Sequence, residues 1–456
     1  VQPAQETGNL KYPSKRDNKT FFVGISLAMS ALVMCLAVPV PPGWSAAELR
    51  ALGVLVFALV LWATEALEST VTGLAVLIAL PVLKIIPYAD SIAGMGTPII
   101  WRLVGIFVFT GAVQKSGLDK RISYQVLRLA RGNVKTFFFL VLMTSFLFIF
   151  LVPAAMGRTV LISTMVLGLL SSMNIKPPSN LGKSIFLALP MVSLISSTSV
   201  IVGASTEIYA AGLFQTVLGF EWTYMSWLIT NLPIGLITII LMYPIFLRLF
   251  PPEMTNFPGG QEFLKGALRG LGPLTIDEKK VLVTFSVLLV LWLADVSDFF
   301  PAELLAAVIL MVPGPGVFTW KEASQHINWG TLILFGSGLA LAKAMLMTGV
   351  VDHISRLLMQ VLGGLSPIAL AAVVFFLTTV VRLGMSNMMG VVATLLPLVL
   401  AFAGKAGVNP VWLGMICVIA SASGFFCRPN RREQSTHMPM ATTPPKTCLR
   451  LEFGWC

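Results

Sequence analysis

The sequence predicts an all-α polytopic membrane protein made of two inverted-topology repeats, each with a re-entrant helical hairpin and a broken transmembrane helix. Three observations lead there. The 456 residues are 56% hydrophobic and only 11% charged, with mean hydropathy +0.86, far from the roughly 25% charge of a soluble domain. Apolar runs of the roughly 20 residues needed to cross a bilayer recur from Phe21 almost to Phe426. Finally, "KSGLDKRIS" (115–123) answers "MTGVVDHIS" (347–355) at an offset of 232, pairing Gly117 with Gly349 and Ser123 with Ser355.

The elements follow in order. A polar N-terminal segment (1–20) opens on Val1 rather than Met, so the sequence is read as lacking its start. The run 21–40 is too long for a signal-peptide core of roughly 7–15 residues and is read as a span. The first repeat (21–250) continues with spans at 49–66, 70–87 and 99–116 and half-length runs at 136–152 and 159–172, read as a hairpin. It closes with a broken helix at 184–216 and a span at 226–250. The stretch 251–280, rich in Pro, Gly and charge, reads as an aqueous linker. The second repeat (281–426) brings spans at 281–296, 302–318 and 329–348, a second split pair (368–381 and 389–403) and a run at 411–426.

Charge orients the halves, because short cytoplasmic loops carry excess Lys and Arg. Residues 115–135 hold six (Lys115, Lys120, Arg121, Arg128, Arg131 and Lys135), whereas the matching 347–367 holds Arg356 alone. The first loop is therefore expected to be cytoplasmic and its mate external, the plan of inverted repeats in secondary transporters. Lys11, Lys15, Arg16 and Lys19 add a cytoplasmic N-terminus in the inner (cell) membrane. The net charge of +11 is accounted for by such loops and needs no nucleic-acid partner. Five cysteines (35, 417, 427, 448 and 456) show no metal-ligand spacing, and three histidines (326, 353 and 437) are too few for a histidine metal centre. No nucleophile–base pair points to an enzyme, and no cofactor is expected beyond coupling ions.

Polar groups inside apolar runs mark the candidate site. Non-helical chain at membrane depth survives only when buried in protein or lining a wet cavity. The first tip, "VPAAMGRT" (152–159), carries Pro153, Gly157, Arg158 and Thr159; the second, "RLGMSNMMG" (382–390), carries Arg382, Ser386 and Asn387. Ser386 and Asn387 offer oxygens to a cation and donors to an anion; the plainer reading is an interhelical polar pair. Arg158 and Arg382 suit a carboxylate, sulfate or phosphate, with snorkelling from a span end as the alternative. Arg102 beside Trp101 reads as an interfacial anchor. "SLISSTSVIVGASTEIYAAG" (193–212) adds Ser196, Ser197, Thr198, Gly203, Ser205, Thr206 and Glu207 as candidate ion ligands, and Glu207, an intramembrane carboxylate, is a functional candidate by default. Glu65, at a span end, reads as structural or helix-capping.

"LWATEALESTVTGLAVLIALPVL" (61–83), "GTPIIWRLVGIFVFTGAVQKSGLDKRIS" (96–123), "FTWKEASQHINWGTLILFGSGLALAKAMLMTGVVDHIS" (318–355) and the Ser386–Asn387 tip resemble, in order, the divalent anion:sodium symporter family. The resemblance implies inverted repeats with hairpins and broken helices, a homodimer, and elevator-type symport of dicarboxylates, citrate or sulfate coupled to sodium. It further implies a Ser-Asn-Thr motif at both tips, contacting substrate and sodium. Here Ser386 and Asn387 match the second motif, with Met388 in place of threonine, while Ala154, Ala155 and Met156 align with the first. Gly203 is kept where the family commonly has Gly-Thr-Pro-Pro-Asn, followed here by Ala204, Ser205, Thr206 and Glu207.

The expectation is a secondary active transporter of a small anion, coupled to sodium or protons. Arg158, Thr159, Arg382, Ser386 and Asn387 would contact substrate. Ser197, Thr198, Gly203, Ser205, Thr206 and Glu207, with Ser386 and Asn387, would hold the ion. The competing expectation is a degenerate, non-transporting member or a truncated product. The tail 427–456, with five basic residues and four prolines, cannot form the final span and reads as a shifted frame or a sequencing error, with a genuine cytoplasmic or external tail as the alternative.

Overall fold

The computed structural model of the protein describes residues 18–152, 155–172, 175, 179–256, 260–294, 301–314, 316–385 and 388–423. The tail and the tip residues Pro153, Ala154, Ser386 and Asn387 lie outside the described residues.

The described chain is helical throughout, and its caps are legible in the sequence. After α1 (Asn18–Ala37), Ser45 caps α2 (Ala46–Thr64), followed by α3 (Ser69–Val82) and α4 (Tyr88–Ala93). Pro98 opens α5 (Pro98–Ser116), where its missing N–H costs nothing. Then come α6 (Leu118–Leu127), α7 (Val134–Leu147) under an Asn133 cap, and α8 (Ala155–Ser172). Ser179 caps α9 (Asn180–Ser199), and α10 (Ser205–Leu218) and α11 (Tyr224–Leu249) complete the first half. The second half holds α12 (Gly260–Gly270), α13 (Ile276–Leu293), α14 (Ala302–Met311), α15 (Trp320–His326), α16 (Trp329–Thr348) and α17 (Val350–Leu362). It ends with α18 (Pro367–Gly384), α19 (Met388–Lys405) and α20 (Pro410–Ala422).

Among the described residues, α2, α5, α9, α11, α16, α18 and α19 are long and apolar enough to cross a membrane. α11 and α18 turn Ile237, Ile240, Ile368 and Phe376 outward, as lipid-facing helices do, whereas α9, α16 and α19 are mostly enclosed by protein.

Several boundaries differ from the expected ones. The span expected at 70–87 stops at Val82 and that at 302–318 stops at Met311; short α4 and α15 follow each. The basic stretch 115–135 contains α6, and the linker 251–280 contains α12. These helices are short and carry polar faces, so an apolar-run criterion passes over them. Glu65 is the exposed, left-handed C-cap of α2 (φ 51°), a backbone role as expected.

The second half repeats the order of the first. Tyr88 and Trp320, and Leu118 and Val350, begin their helices at the same 232-residue offset. Gly117 (φ 77°) and Gly349 (φ 86°) are both left-handed C-caps, of α5 and α16, conformations that an L side chain would strain. The halves interlock: α3 packs on α16 while α14 packs on α5. At the second crossing, a Cβ on Gly105 would stand 2.5 Å from the Glu303 backbone. At the first, a Cβ on Gly73 would stand 2.7 Å from Ser337 Oγ. Small residues thus permit the close approach on which helix pairs in lipid depend.

Ion pairs follow the same pseudo-symmetry. Lys115 meets Glu322 at 2.7 Å and Lys343 meets Asp90 at 2.8 Å, Asp90 and Glu322 being matched positions. Arg121 Nε donates to Glu278 Oε1 at 2.7 Å, while at the matched position His353 Nδ1 lies 3.6 Å from Glu48 Oε1. Both glutamates use Oε2 to accept the N–H of their helix cap, Thr275 or Ser45, so one carboxylate both starts a helix and holds the other half. Arg121 also donates to the carbonyls of Leu271, Gly272 and Pro273, pinning the linker.

Beside it, at the interfacial start of α6, Asp119 is buried. Desolvation pushes its carboxyl up to about 6, against the opposing pull of the Lys120 N–H and charge. A carboxyl raised in the folded state favours folding below its unfolded pKa, and that advantage is lost as pH rises through the folded one. Asp119→Asn is therefore expected to raise thermal stability at pH 8, by up to about 3 kcal/mol for a shift of about two units, and to change little near pH 4. Unfolding in detergent at the two pH values measures it.

Candidate functional site

The first hairpin meets the broken helix through a buried hydroxyl cluster. α9 carries Ser193, Ser196 and Ser197 one turn apart, so all three face the same neighbours. Ser193 Oγ lies 3.1 Å from Ser145 Oγ of α7 and accepts from Thr159 Oγ1 of α8 at 2.8 Å. One hydroxyl thus joins both arms of the hairpin to α9.

Arg158, in the first turns of α8, is fully buried. Its Nη1 donates to the Val152 carbonyl at 2.6 Å. Its Nη2 reaches the Ser193 carbonyl at 2.5 Å, Ser196 Oγ at 3.0 Å and Ser197 Oγ at 2.9 Å. A guanidinium removed from water needs such a set of oxygens. The last two turns of α9 supply three of them, the Ser193 carbonyl and the Ser196 and Ser197 hydroxyls, near the negative end of the helix dipole, and Val152, before α8, supplies the other.

Beyond Ser199 the helix breaks. Residues 200–204 are non-helical, with Val200 and Val202 buried and the Gly203 N–H donating to the Val200 carbonyl at 2.7 Å. Polar backbone at this depth is shielded by protein, as it must be. The chain resumes as α10 with Ser205, Thr206 and Glu207 in its first turn. Glu207 is completely buried, and neither carboxylate oxygen has a hydrogen-bond partner among the described residues.

Thr198 is only partly lined up with this cluster: its hydroxyl returns to the Ile195 carbonyl at 2.9 Å, and its own carbonyl accepts from Trp227 Nε1 at 2.9 Å. Ser145 and Ser193 belong to the cluster although the sequence reading passed over them. The signal was present in the 193/196/197 spacing, one face of a helix.

The second hairpin is tied down in a related way. Arg382, half-buried at the end of α18, donates through Nε to the Ser421 carbonyl of α20 at 3.1 Å and through Nη1 to the Met385 carbonyl. Each hairpin is thus fastened to the end of the neighbouring helix by a guanidinium. Arg158 acts from the strand of chain after its tip, Arg382 from the one before. The elements converge, since α9 packs on α8 and α20, and α19 packs on α10 and α20. The N-termini of α8, α10 and α19 belong to these packed elements, and the positive dipole end of a helix favours anions.

The profile of the sodium:sulfate symporter transmembrane region matches residues 19–432. The chain is 25% identical to a membrane protein of Cupriavidus necator over 431 residues, 89% of this chain and 84% of that one. It is 24% identical to the sodium-dependent dicarboxylate transporter SdcS of Staphylococcus saprophyticus over 447 residues, 90% and 84% of the two chains. An uncharacterized transporter of Haemophilus influenzae is 25% identical over 416 residues, 86% and 83%. These relatives are membrane proteins and transporters rather than enzymes.

Proposed function

Because the chain belongs to the family of the sodium:sulfate symporter transmembrane region, we propose that it is a secondary transporter of a small dianion. A dicarboxylate or sulfate would cross the cell membrane with a coupling cation. The observation that carries this reading is the pair of guanidinium-fastened hairpins: Arg158 on the last turns of α9, before the break to α10, and Arg382 on the end of α20. Substrate would sit between the tips, held by Ser386, Asn387 and Arg382 and by the N–H groups at the starts of α8 and α19, with Thr159 and the Arg158 charge behind them. Ser197, Thr198, Gly203, Ser205, Thr206 and Glu207 flank the helix break in the first half, and the coupling cation would be held with Ser386 and Asn387 at the second tip.

The two halves would run in opposite senses through the membrane, with the N-terminus and the basic α6 region cytoplasmic. An elevator-type movement of hairpins and broken helices, in a homodimer, would carry the site across. Uptake of labelled succinate, citrate and sulfate into proteoliposomes tests the reading. Accumulation of one of them under an inward sodium gradient, and its collapse when choline replaces sodium, is the expected result. No accumulation of any of the three under sodium or proton gradients would overturn it.

A further inference from the structure

The oxygens that receive the Arg158 guanidinium include two backbone carbonyls, of Val152 and Ser193, and two hydroxyls, of Ser196 and Ser197. All are hard, neutral ligand atoms, three of them from the last two turns of a broken helix, the kind of arrangement that coordinates a small monovalent cation in membrane transporters. In this chain the position is filled by a side chain. We propose that the Arg158 guanidinium is a built-in cation that replaces a mobile sodium ion in the first half of the site. This rests on the transporter reading for its consequence, because it makes the first half insensitive to sodium and leaves ion coupling to the second hairpin.

Three features carry the inference. Arg158 is wholly buried, so its charge is a permanent part of the interior and not a group that swings out to meet an anion. Its terminal nitrogens are committed to the protein's own oxygens, two on carbonyls and two on hydroxyls. Glu207, in the first turn of α10 beyond the break, is equally buried. A cage already occupied by a fixed positive charge has no electrostatic reason to recruit a free cation. A tethered guanidinium also has little translational entropy to lose, which favours it over a dissolved ion.

The arrangement fixes what removal of the side chain does. Arg158→Ser empties the cage but leaves these oxygens, which are then available to a bare monovalent cation. Arg158→Lys keeps a tethered charge in place.

Thermal unfolding of the full-length detergent-solubilised protein, titrated with sodium chloride at constant ionic strength against choline chloride, tests this directly. Arg158→Ser is expected to be destabilised in choline and restored by sodium, while Arg158→Lys responds to sodium as the wild type does. In proteoliposomes, the sodium dependence of uptake is expected to have a Hill coefficient near about 1 in the wild type and to approach about 2 in Arg158→Ser, in step with the number of sites. Arg158→Ser that sodium does not restore, together with loss of the anion's own thermal shift, would overturn the proposal and make Arg158 a substrate ligand. Should Arg158→Ser not fold even in sodium, an Arg158→Lys variant that responds to sodium more steeply than the wild type would overturn it equally. If the wild type transports nothing, the function reading fails, yet sodium rescue of Arg158→Ser still decides what fills the cage.

Discussion

Arg121→Ala lowers the unfolding temperature of the detergent-solubilised protein, by the equivalent of about 3–5 kcal/mol, the usual result of stranding one member of a buried pair. Arg121 and Glu278 are both buried, 2.7 Å apart, and Glu278 is also the capping-box carboxylate of α13. Without the guanidinium it keeps its cap N–H but faces protein with an uncompensated charge. The double variant Arg121→Met/Glu278→Gln removes both charges and keeps a capping amide, since glutamine serves at that position, and should recover most of the loss. His353→Ala at the matched latch, where the nitrogen is 3.6 Å from Glu48 Oε1 and the ring stacks on Trp44 at 3.9 Å, should cost less, about 1–2 kcal/mol, most of it lost ring packing. Equal losses at the two positions would show that the pairing itself is not what holds the halves.

Arg382→Ala should abolish uptake and lower the unfolding temperature by the equivalent of about 1–3 kcal/mol. The side chain is half-buried, and its partners include the carbonyls of the buried Ser421 and Met385, which lose a donor when the guanidinium is gone. What is lost is position: one fork joins the second tip to α20. A misplacement of about 1 Å is enough to cost on the order of 100-fold in rate. Arg382→Lys keeps the charge, but a single ammonium cannot span both carbonyls, so a loss of roughly tenfold is expected from the same geometric sensitivity. Initial-rate uptake across anion concentrations separates the roles: a fall in Vmax alone marks a positioning residue, and a rise in KM with it marks a substrate ligand. Wild-type uptake in both variants would remove Arg382 from the site.

The repeat was legible from Gly117/Gly349 and Ser123/Ser355 because duplicated turns keep the residues that duplicated backbone demands. Both glycines are left-handed caps, and both serine hydroxyls return to the carbonyl one turn back, Asp119 and Val351. The spans were legible because lipid imposes length. The short α4, α6, α12, α15 and α17 were not, since polar faces break an apolar run without breaking a helix. The Arg121–Glu278 and His353–Glu48 contacts were also hidden, because they join residues 157 and 305 positions apart and no local pattern announces them. At the site, the sequence marked Arg158 as costly and Glu207 as unusual, and both are wholly buried. That Arg158 spends its hydrogens on α9 depended on which helix packs against the hairpin, and that is a tertiary fact.

The interlocking of the halves also has a consequence in time. The crossing of α5 by α14 needs chain made roughly 190 residues after α5 ends, and at roughly 5–20 residues per second a ribosome takes on the order of 10–40 s to supply it. Until then Gly105 has no neighbour and the buried side of α5 must face lipid or another protein. The partner surface of α3 waits longer, for α16. The first half can therefore assemble its own contacts, α1 on α2 and α9 on α7, α8 and α11, but the inner faces of α3 and α5 are covered only when the second half arrives.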